Sequence, residues 1–470
     1  MLSILIQIYL KRKNIMYETS TLKQKIKLFI YILIPILITQ LSMYAMNFFD
    51  TVMSGKTGAV ELAGVAIGSS LWVPISTGIN GILMAISPIV AQMIGAKDEK
   101  NITETVRQGI SLAIGLGIVV SIIGFLLIDP IVQSMDLEAH VAYVAKYYLL
   151  AIGIGIIPLF IFNLLRCYID ALGQTRISMF IILLSLPLNF MFNYIFIFGK
   201  LGLPAYGGIG AGIASALTYW ICCVISIWIV HRIKPFANHN IFKTWSRPSL
   251  LAWWEQLKVG VPIGFSIFFE VSIFSAVTLF MSSYNTYTIA AHQAAINFAS
   301  FLYMVPLSIA TALTIAVGYE VGAKRIKDAR TYSYMGITSG IIIAFVAGLI
   351  LYIFDDPVAK LYNTNPAVVE LTKNFLYYAI FFQFADAFGA PLQGALRGYK
   401  DVNITFWMSL VSYWLIGLPS GWLLANYTNL NAYGYWLGLI IGLSAGAITL
   451  FGRIQFLQRK LLKKYAAENG

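Results

Sequence analysis

The sequence predicts an all-α polytopic membrane protein, with twelve transmembrane helices in two parallel six-helix repeats. Its composition is the first reason. Of the 470 residues, 59% are hydrophobic and only 11% are charged, whereas soluble proteins carry roughly 25% charged residues. The mean hydropathy of +0.77 agrees with this assignment. The distribution of basic residues among the loops and an internal repeat are the second and third reasons.

Long apolar runs set the number of spans. A helix needs about 20 mostly apolar residues to cross a bilayer. Twelve runs of about that length occur, and we number the predicted spans 1 to 12 in chain order. They lie near 28–53, 66–92, 109–129, 141–164, 177–199, 209–231, 259–283, 289–317, 334–354, 373–396, 404–426 and 433–453.

The lysines and arginines are distributed unevenly between the two sides. Of 32 in total, 27 fall in the two termini and in the loops that follow even-numbered spans. Four fall in the alternate loops, and Lys146 lies inside span 4. Basic loops remain on the cytoplasmic side, so both termini are predicted to be cytoplasmic. The net charge of +12 is therefore explained by topology, and no nucleic-acid partner is expected.

The two halves of the chain repeat each other. At an offset of 227, Pro35 matches Pro262, and Gly95-Ala96-Lys97 matches Gly322-Ala323-Lys324. Each half holds six spans, so both halves enter the membrane from the same side. Parallel repeats of this kind are typical of transporters that carry the substrate site between the halves.

The repeat and the loops define a domain organisation. We expect a cytoplasmic lead at 1–27, with translation starting at Met1 or Met16, and a cytoplasmic tail at 457–470. An N-lobe at 28–231 and a C-lobe at 259–456 are joined by a cytoplasmic linker at 232–258. In that linker, Trp253-Trp254 favours an interfacial helix rather than a spanning one.

Three acidic residues stand alone in the apolar spans. Glu270 is the only charged side chain over 259–319, Asp386 is the only one over 374–396, and Asp50 ends a long uncharged run. A charge at the centre of the bilayer costs at least about 2.5–3.5 kcal/mol. These acids are therefore the candidate functional residues. Asp50 belongs to one half, and Glu270 and Asp386 belong to the other, which predicts that ion coupling is weighted to the C-lobe pair.

Four short motifs resemble the multidrug and toxic compound extrusion (MATE) family. The resemblance extends from about residue 25 to residue 460. The chain carries both Glu270 and Asp386, and in this respect it resembles the NorM-type branch of the family. The motifs are Phe49-Asp50-Thr51-Val52-Met53-Ser54-Gly55, Phe268-Phe269-Glu270, Ala291-His292-Gln293-Ala294 and Leu396-Arg397-Gly398-Tyr399-Lys400-Asp401.

The resemblance implies a V-shaped pair of lobes that exports lipophilic, mostly cationic drugs by Na⁺ or H⁺ antiport. It implies that Asp50 is the N-lobe acid, and that Glu270 and Asp386 couple cations in the C-lobe, with Na⁺ as one candidate ligand. Asn189 and Asn193, four residues apart on one helix face, match polar neighbours of the span 1 acid. Other branches often carry an acid at the position of Asn193.

Four other residues bear on the candidate site. Ser215 could offer an oxygen to Asp50, although helix packing is the favoured interpretation. His292 is interpreted as a packed histidine, with a proton relay as the alternative. Arg397 is expected to anchor the lobe geometry. Some NorM-type members use a tyrosine one turn before the span 10 acid, whereas this chain has Phe382, which carries no hydroxyl group.

The chemistry of a lone carboxyl group suits antiport. It can take up a proton, and with neighbouring oxygens it can bind Na⁺, a cation that prefers hard ligands. A coupling ion and a cationic drug then compete for one negative charge. The remaining expectations are a monomer in the bacterial cytoplasmic membrane, with small-molecule drugs and the bilayer as partners and no cofactor besides the coupling ion.

Three alternative functions are less consistent with the sequence. A lipid-linked oligosaccharide flippase of the same superfamily would need several basic residues inside its cavity to hold pyrophosphate, but nearly all basic residues here map to loops. An intramembrane enzyme is disfavoured because no spanning segment carries a metal-binding motif or a Ser/His pair. A channel is disfavoured by the two-lobe repeat with unmatched acids.

Overall fold

The regular structure is helical throughout the described chain, which in this computed structural model comprises Met16 and residues 18–468. In that part, eleven helices are long and apolar enough to cross a membrane, and a bent helix pair makes a twelfth span. The twelve predicted spans are therefore confirmed. Most of the predicted lead, residues 1–15 and Tyr17, lies outside the described residues, as do the last two residues of the predicted tail.

The helices give the spans their bounds. The first six are Leu22–Gly55, Ala59–Leu83 continued by Ile86–Gly95, Glu99–Ser134, Ala139–Gly153 with Ile156–Ala171, Thr175–Phe198 and Gly208–Arg232. The second six are Leu250–Met281, Thr286–Gly322, Ile326–Ile353, Pro366–Gly398, Val402–Leu410 continued through Val411–Gly417 to Leu418–Tyr427, and Ala432–Glu468. A short helix, Asp355–Tyr362, precedes span 10.

Several helices extend beyond the apolar runs that predicted them. Span 3 begins at Glu99 and span 12 continues to Glu468, because helical hydrogen bonds form in water as well as in lipid. The predicted interfacial helix in the linker is wrong. Trp253-Trp254 lies in the first turns of span 7, whose helix begins at Leu250 inside the predicted linker. Between Arg232 and Leu250 the regular structure is a 3-10 turn at Phe236–His239.

Span 4 is bent by 52° between its two helices. The bend lies at Gly155, next to span 6. A Cβ atom at Gly155 would lie 2.8 Å from the Cα of Ala216. Only glycine permits this close approach without displacing span 6, so the bend and the packing of spans 4 and 6 depend on one position.

The chain divides into two compact units. The first unit includes residues 34–264, and the second unit includes 19–33 together with the chain from 265 onward. The divisions fall inside spans 1 and 7, close to Pro35 and Pro262, where proline removes a helical hydrogen bond. Each unit therefore holds part of spans 1 and 7, and the assignment of whole spans to the predicted lobes stays a prediction.

Each unit has its own core. In the first unit, buried side chains around Phe160, Tyr168 and Phe236 join spans 2 to 6 and the linker. In the second unit, buried side chains around Phe375 and Trp436 join spans 7 to 12. The second core includes side chains of spans 7 and 10, the helices that carry Glu270 and Asp386.

Candidate functional site

In the first unit, Asp50 is held by side chains from two other spans. The Asn193 amide on span 5 donates a hydrogen bond to Asp50 Oδ1 over 2.5 Å. The Ser215 hydroxyl on span 6 donates to Asp50 Oδ2 over 3.0 Å. Asn189 Oδ1 accepts from Asn193 over 3.1 Å. The structure thus brings together Asp50 and its three predicted neighbours, and Ser215 is a hydrogen-bond donor as well as a packing residue.

The local sequence explains why these groups meet. Asn189 and Asn193 are one helical turn apart on span 5, so their side chains share a face. Both are buried, and in residues 18–468 no donor reaches Asn193 Oδ1. A buried amide oxygen without a donor is an available ligand for a cation. The cluster combines carboxylate, amide and hydroxyl oxygens, which are hard ligands suited to a small cation.

In the second unit, Glu270 on span 7 and Asp386 on span 10 line one cavity. Both residues are buried, with exposed fractions of 8% and 4%. The cavity measures about 40 Å³, which exceeds the roughly 10–15 Å³ that one water molecule needs. Its walls also include Phe382 and Trp436. Two carboxyl groups therefore share a small space with apolar walls.

The two acids of the second unit have different hydrogen bonding. The Tyr303 hydroxyl on span 8 donates to Glu270 Oε1 over 3.0 Å. Gln393, on the same helix as Asp386, donates to the hydroxyl of Tyr413 over 3.2 Å. In the described part of the chain, no side chain or backbone group donates to the Asp386 carboxyl group. Asp386 therefore faces the cavity without a fixed partner.

A π-helical segment brings two more aromatic side chains to Glu270. Val411–Gly417 in span 11 is a π-helix, a form that often occurs at functional sites. Tyr413 and Glu270 line a second, smaller cavity of about 10 Å³. Trp414 Nε1 donates to the backbone carbonyl of Phe269 over 3.1 Å. The π-helix thus contributes directly to the surroundings of Glu270.

His292 is a packed residue in this structure. The Trp436 indole donates to His292 Nδ1 over 3.0 Å, so the imidazole proton is on Nε2. That nitrogen lies 3.1 Å from the Thr278 hydroxyl and donates to it. Both ring nitrogens have partners, which supports the packing interpretation of His292. Through this bond, His292 also orients Trp436 in the cavity wall.

Sequence reasoning missed Tyr303, Gln393, Tyr413 and Trp436. The chain has 27 tyrosines and 10 tryptophans, so the aromatic residues carried no distinguishing signal. Gln393 was detectable as an amide deep in the same apolar run as Asp386. Phe382 does line the cavity, and the phenol that contacts an acid comes from Tyr303 on another span.

A family model and several relatives match the chain. The MatE model matches twice, at residues 35–195 and 262–423, and the two matches start 227 residues apart, as the internal repeat predicts. Each relative is described as a "Probable multidrug resistance protein NorM". The protein from Oceanobacillus iheyensis is 62% identical over 95% of this chain and 100% of its own length. The Halalkalibacterium halodurans protein is 57% identical over 95% and 97%, and the Bacillus subtilis protein is 53% identical over 96% and 99%.

Solved structures agree on the fold. The eukaryotic MATE transporter AtDTX14 superposes with a TM-score of 0.83 at 22% identity, covering 94% of this chain and 98% of that one. A MATE crystal structure in the bent conformation superposes with a TM-score of 0.85 at 20% identity, covering 94% and 97%. At these identities the likeness concerns the fold.

Proposed function

From the premise that the chain belongs to the MatE family, with NorM proteins as high-identity relatives, we propose that it is a cation-coupled multidrug exporter. It exchanges Na⁺ or H⁺ for lipophilic, mostly cationic drugs by alternating access. The observation that carries the proposal is the shared cavity of Glu270 and Asp386. The relatives' names, which all describe multidrug resistance, support the drug substrates.

The charge of the cavity provides the coupling. Two neighbouring carboxyl groups repel each other when both are ionised, and a bound cation relieves that repulsion. A coupling ion and a cationic drug each supply the missing positive charge, so binding of one displaces the other. Asp50 in the first unit is a second charge that senses substrate or titrates.

The driving force is adequate for this exchange. A membrane potential of 100 mV supplies about 2.3 kcal/mol per charge. A difference of one pH unit adds about 1.4 kcal/mol per proton. Because about 1.4 kcal/mol corresponds to a tenfold concentration ratio, one or two ions per cycle sustain a useful drug gradient.

The same premise supports a proposal for the membrane, the orientation and the oligomeric state of the transporter. We propose that it works as a monomer in the bacterial cytoplasmic membrane with both termini cytoplasmic. The flippase alternative is not favoured, since the relatives carry multidrug names and the lone acids have no role in holding a pyrophosphate.

Drug transport by inverted membrane vesicles, with Na⁺ and pH gradients imposed separately, tests the proposal. The cytoplasmic face of such vesicles is outermost, so efflux by the transporter is measured as drug uptake into the lumen. We expect one of the two gradients to drive efflux, and Glu270→Gln and Asp386→Asn to remove that dependence. Glu255→Gln is the matched control, because Glu255 lies on the same span with an exposed side chain paired to Lys258. Full ion-driven export by both acid variants would refute the coupling role.

A further inference from the structure

The first unit contains a large cavity between spans 2, 3 and 4. It measures about 530 Å³, which is within the range of roughly 300–1,000 Å³ that is usual for small-molecule sites. Its walls include Trp72 on span 2, Phe125 on span 3 and Leu149 on span 4. These residues have no part in the proposed ion coupling, so the cavity calls for a separate explanation.

The walls of the cavity extend to the outer surface of the protein. Phe125 and Ile154 line the cavity and are both 72% exposed. Both lie in helices that are long and apolar enough to cross a membrane, so the medium around them is lipid hydrocarbon. The cavity is therefore accessible to a hydrocarbon chain from the bilayer.

The length of the cavity matches one leaflet of the bilayer. Along span 3 its lining runs from Val120 to Ile131, a distance of about 17 Å at 1.5 Å per residue. The hydrocarbon core of a bilayer is about 30 Å thick, so each leaflet contributes about 15 Å. One lipid acyl chain is thus about as long as the cavity.

An ion pair lies near the end of the cavity that is closest to the loop between spans 3 and 4. Lys146 Nζ is 2.6 Å from Asp129 Oδ1, and the two side chains are 33% and 53% exposed. The lining residues closest to that loop are Ile131 on span 3 and Leu149 on span 4. Asp129 and Lys146 are each within one helical turn of these residues. Lys146 is the one basic residue that the loop distribution leaves inside a span.

Two tyrosines place this ion pair at the level of the lipid headgroups. Tyr143 and Tyr147 are exposed, and their ring centroids are 4.5 Å apart. Lys146 Nζ lies 5.8 Å from the centroid of the Tyr147 ring. Exposed tyrosines are typical of the interface between membrane and water. A lipid whose chain fills the cavity therefore has its headgroup beside Lys146 and Asp129.

We propose that the cavity binds one acyl chain of a zwitterionic phospholipid with a primary amine, phosphatidylethanolamine. Its phosphate contacts Lys146 and its ammonium group contacts Asp129. The inference goes beyond the proposed function and does not depend on it.

The chemistry of the ion pair selects this headgroup. A lysine ammonium has three N–H donors and a carboxylate has about four acceptor positions, so Lys146 and Asp129 can each bind a further group without separating. A phospholipid with an anionic headgroup brings its phosphate close to Asp129 without a cation to offset the repulsion. The quaternary amine of phosphatidylcholine has no N–H group to donate to Asp129.

Two glycines in the lining allow the cavity to be filled without a clash. A Cβ atom at Gly124 on span 3 or at Gly153 on span 4 would meet open space in the described structure. Leucine at both positions occupies part of the cavity, and it favours the helix more than glycine does. Gly452→Leu is the matched control, because Gly452 on span 12 also has open space around it and belongs to the second unit.

The test is lipid binding by the purified, delipidated full-length protein, measured by native mass spectrometry. Phosphatidylethanolamine, phosphatidylcholine and phosphatidylglycerol with identical acyl chains are titrated separately. We expect one molecule of phosphatidylethanolamine to bind at least about tenfold more tightly than either of the other lipids.

Variants separate the contribution of the chain from that of the headgroup. Gly124→Leu/Gly153→Leu is expected to weaken binding of phosphatidylethanolamine at least about tenfold, whereas Gly452→Leu keeps the native affinity. Asp129→Asn/Lys146→Gln is expected to lower the affinity for phosphatidylethanolamine to that for phosphatidylcholine. The unfolding temperature in detergent shows that each variant is folded. If the glycine double variant does not fold, the charge double variant tests the proposal by itself.

Three results would overturn the proposal. The first is native affinity for phosphatidylethanolamine in a folded Gly124→Leu/Gly153→Leu variant. The second is equal affinity of the native protein for the three lipids, or a preference for phosphatidylcholine or phosphatidylglycerol. The third is that filling the cavity removes binding of the lipophilic cation tetraphenylphosphonium and leaves lipid binding unchanged, which would identify a drug site. The vesicle experiment on ion-driven export is independent of all three results.

Discussion

Asp50 in the first unit and Asp386 in the second are both lone acids of apolar spans, but their hydrogen bonding differs. Asp50 accepts bonds on both carboxyl oxygens, from Asn193 and Ser215. Asp386 accepts none in the described residues, and it faces a cavity that it shares with Glu270. One acid is supplied with fixed donors by its own unit, and the other is not.

This difference in hydrogen bonding indicates that the two acids have different roles. Fixed donors stabilise a carboxylate, so an acid that has them gains less from binding a cation. An acid without donors gains most of its stabilisation from the ion itself. We therefore expect ion coupling to depend more strongly on Asp386 than on Asp50. Variants of each acid and of its surroundings test that ranking.

Asp386→Asn is expected to have the largest effect. It should lower ion-driven drug export at least about hundredfold, or 2.7 kcal/mol, because it removes the acid of the cavity that has no hydrogen-bond donor among the described residues. Asp50→Asn should cost no more than about tenfold. The measurement is the initial rate of drug efflux in vesicles at matched expression. A larger loss for Asp50→Asn would reverse the comparison between the two units.

The shape of the second unit's site depends on close packing of spans 11 and 12. A Cβ at Gly438 would lie 2.3 Å from the Cα of Gly421. Gly438→Val is therefore expected to destabilise the protein by about 2 kcal/mol through overpacking, which a lower unfolding temperature in detergent would show. Gly452→Ala, on the same helix with open space around it, is the control. If the two variants unfold at the same temperature, the close approach of Gly438 to Gly421 does not limit the size of the side chain at residue 438.

Asn193→Leu tests the donors of the first unit. Hydrogen bonds to charged groups contribute about 1.5–3 kcal/mol, so losing this donor is expected to reduce drug export about tenfold. The cation affinity of the second unit should not change. A shift in that affinity would show that the two acid sites are coupled. Asn426→Leu, at an exposed position near the end of span 11, is the control for the added apolar side chain.

Ser215→Ala is expected to have the smallest effect. It removes one hydroxyl donor and leaves Asn193 in place, at a cost of about 1 kcal/mol or a fivefold loss of export. Ser215→Thr keeps the hydroxyl and should retain most of the native rate. If Ser215→Ala and Ser215→Thr export drug at the same rate, the hydroxyl group does not contribute to export and the role of Ser215 is packing.

Much of the fold was predictable because membrane insertion imposes a simple rule. Apolar length identified all twelve spans, and the repeat appeared as two matches separated by the predicted 227 residues. The true helix ends were not predictable from apolar length, as span 12 shows by continuing to Glu468. The interfacial helix assigned to Trp253-Trp254 was wrong for the same reason, since those residues extend span 7.

The candidate site was predictable where a residue type is rare in its surroundings. Asp50, Glu270 and Asp386 were identified because a charge in an apolar run is costly. Tyr303 and Trp436 could not be identified, because aromatic residues make up 14% of the chain and most of them pack in the core or face lipid. Their contribution depends on which side of a helix faces Glu270 or Asp386.

Residue types and their order are sufficient to predict the number of spans, the repeat and the unequal placement of acids between the halves, because hydrophobicity and charge are properties of individual residues. Which acid receives hydrogen-bond donors and which lacks them depends on the tertiary structure. Asn193 and Ser215 reach Asp50 from spans 5 and 6, whereas Asp386 lines the cavity with Glu270 and has no hydrogen-bond donor in the described chain. Those contacts depend on how helices distant in sequence pack and rotate against each other, which no single stretch of the chain specifies.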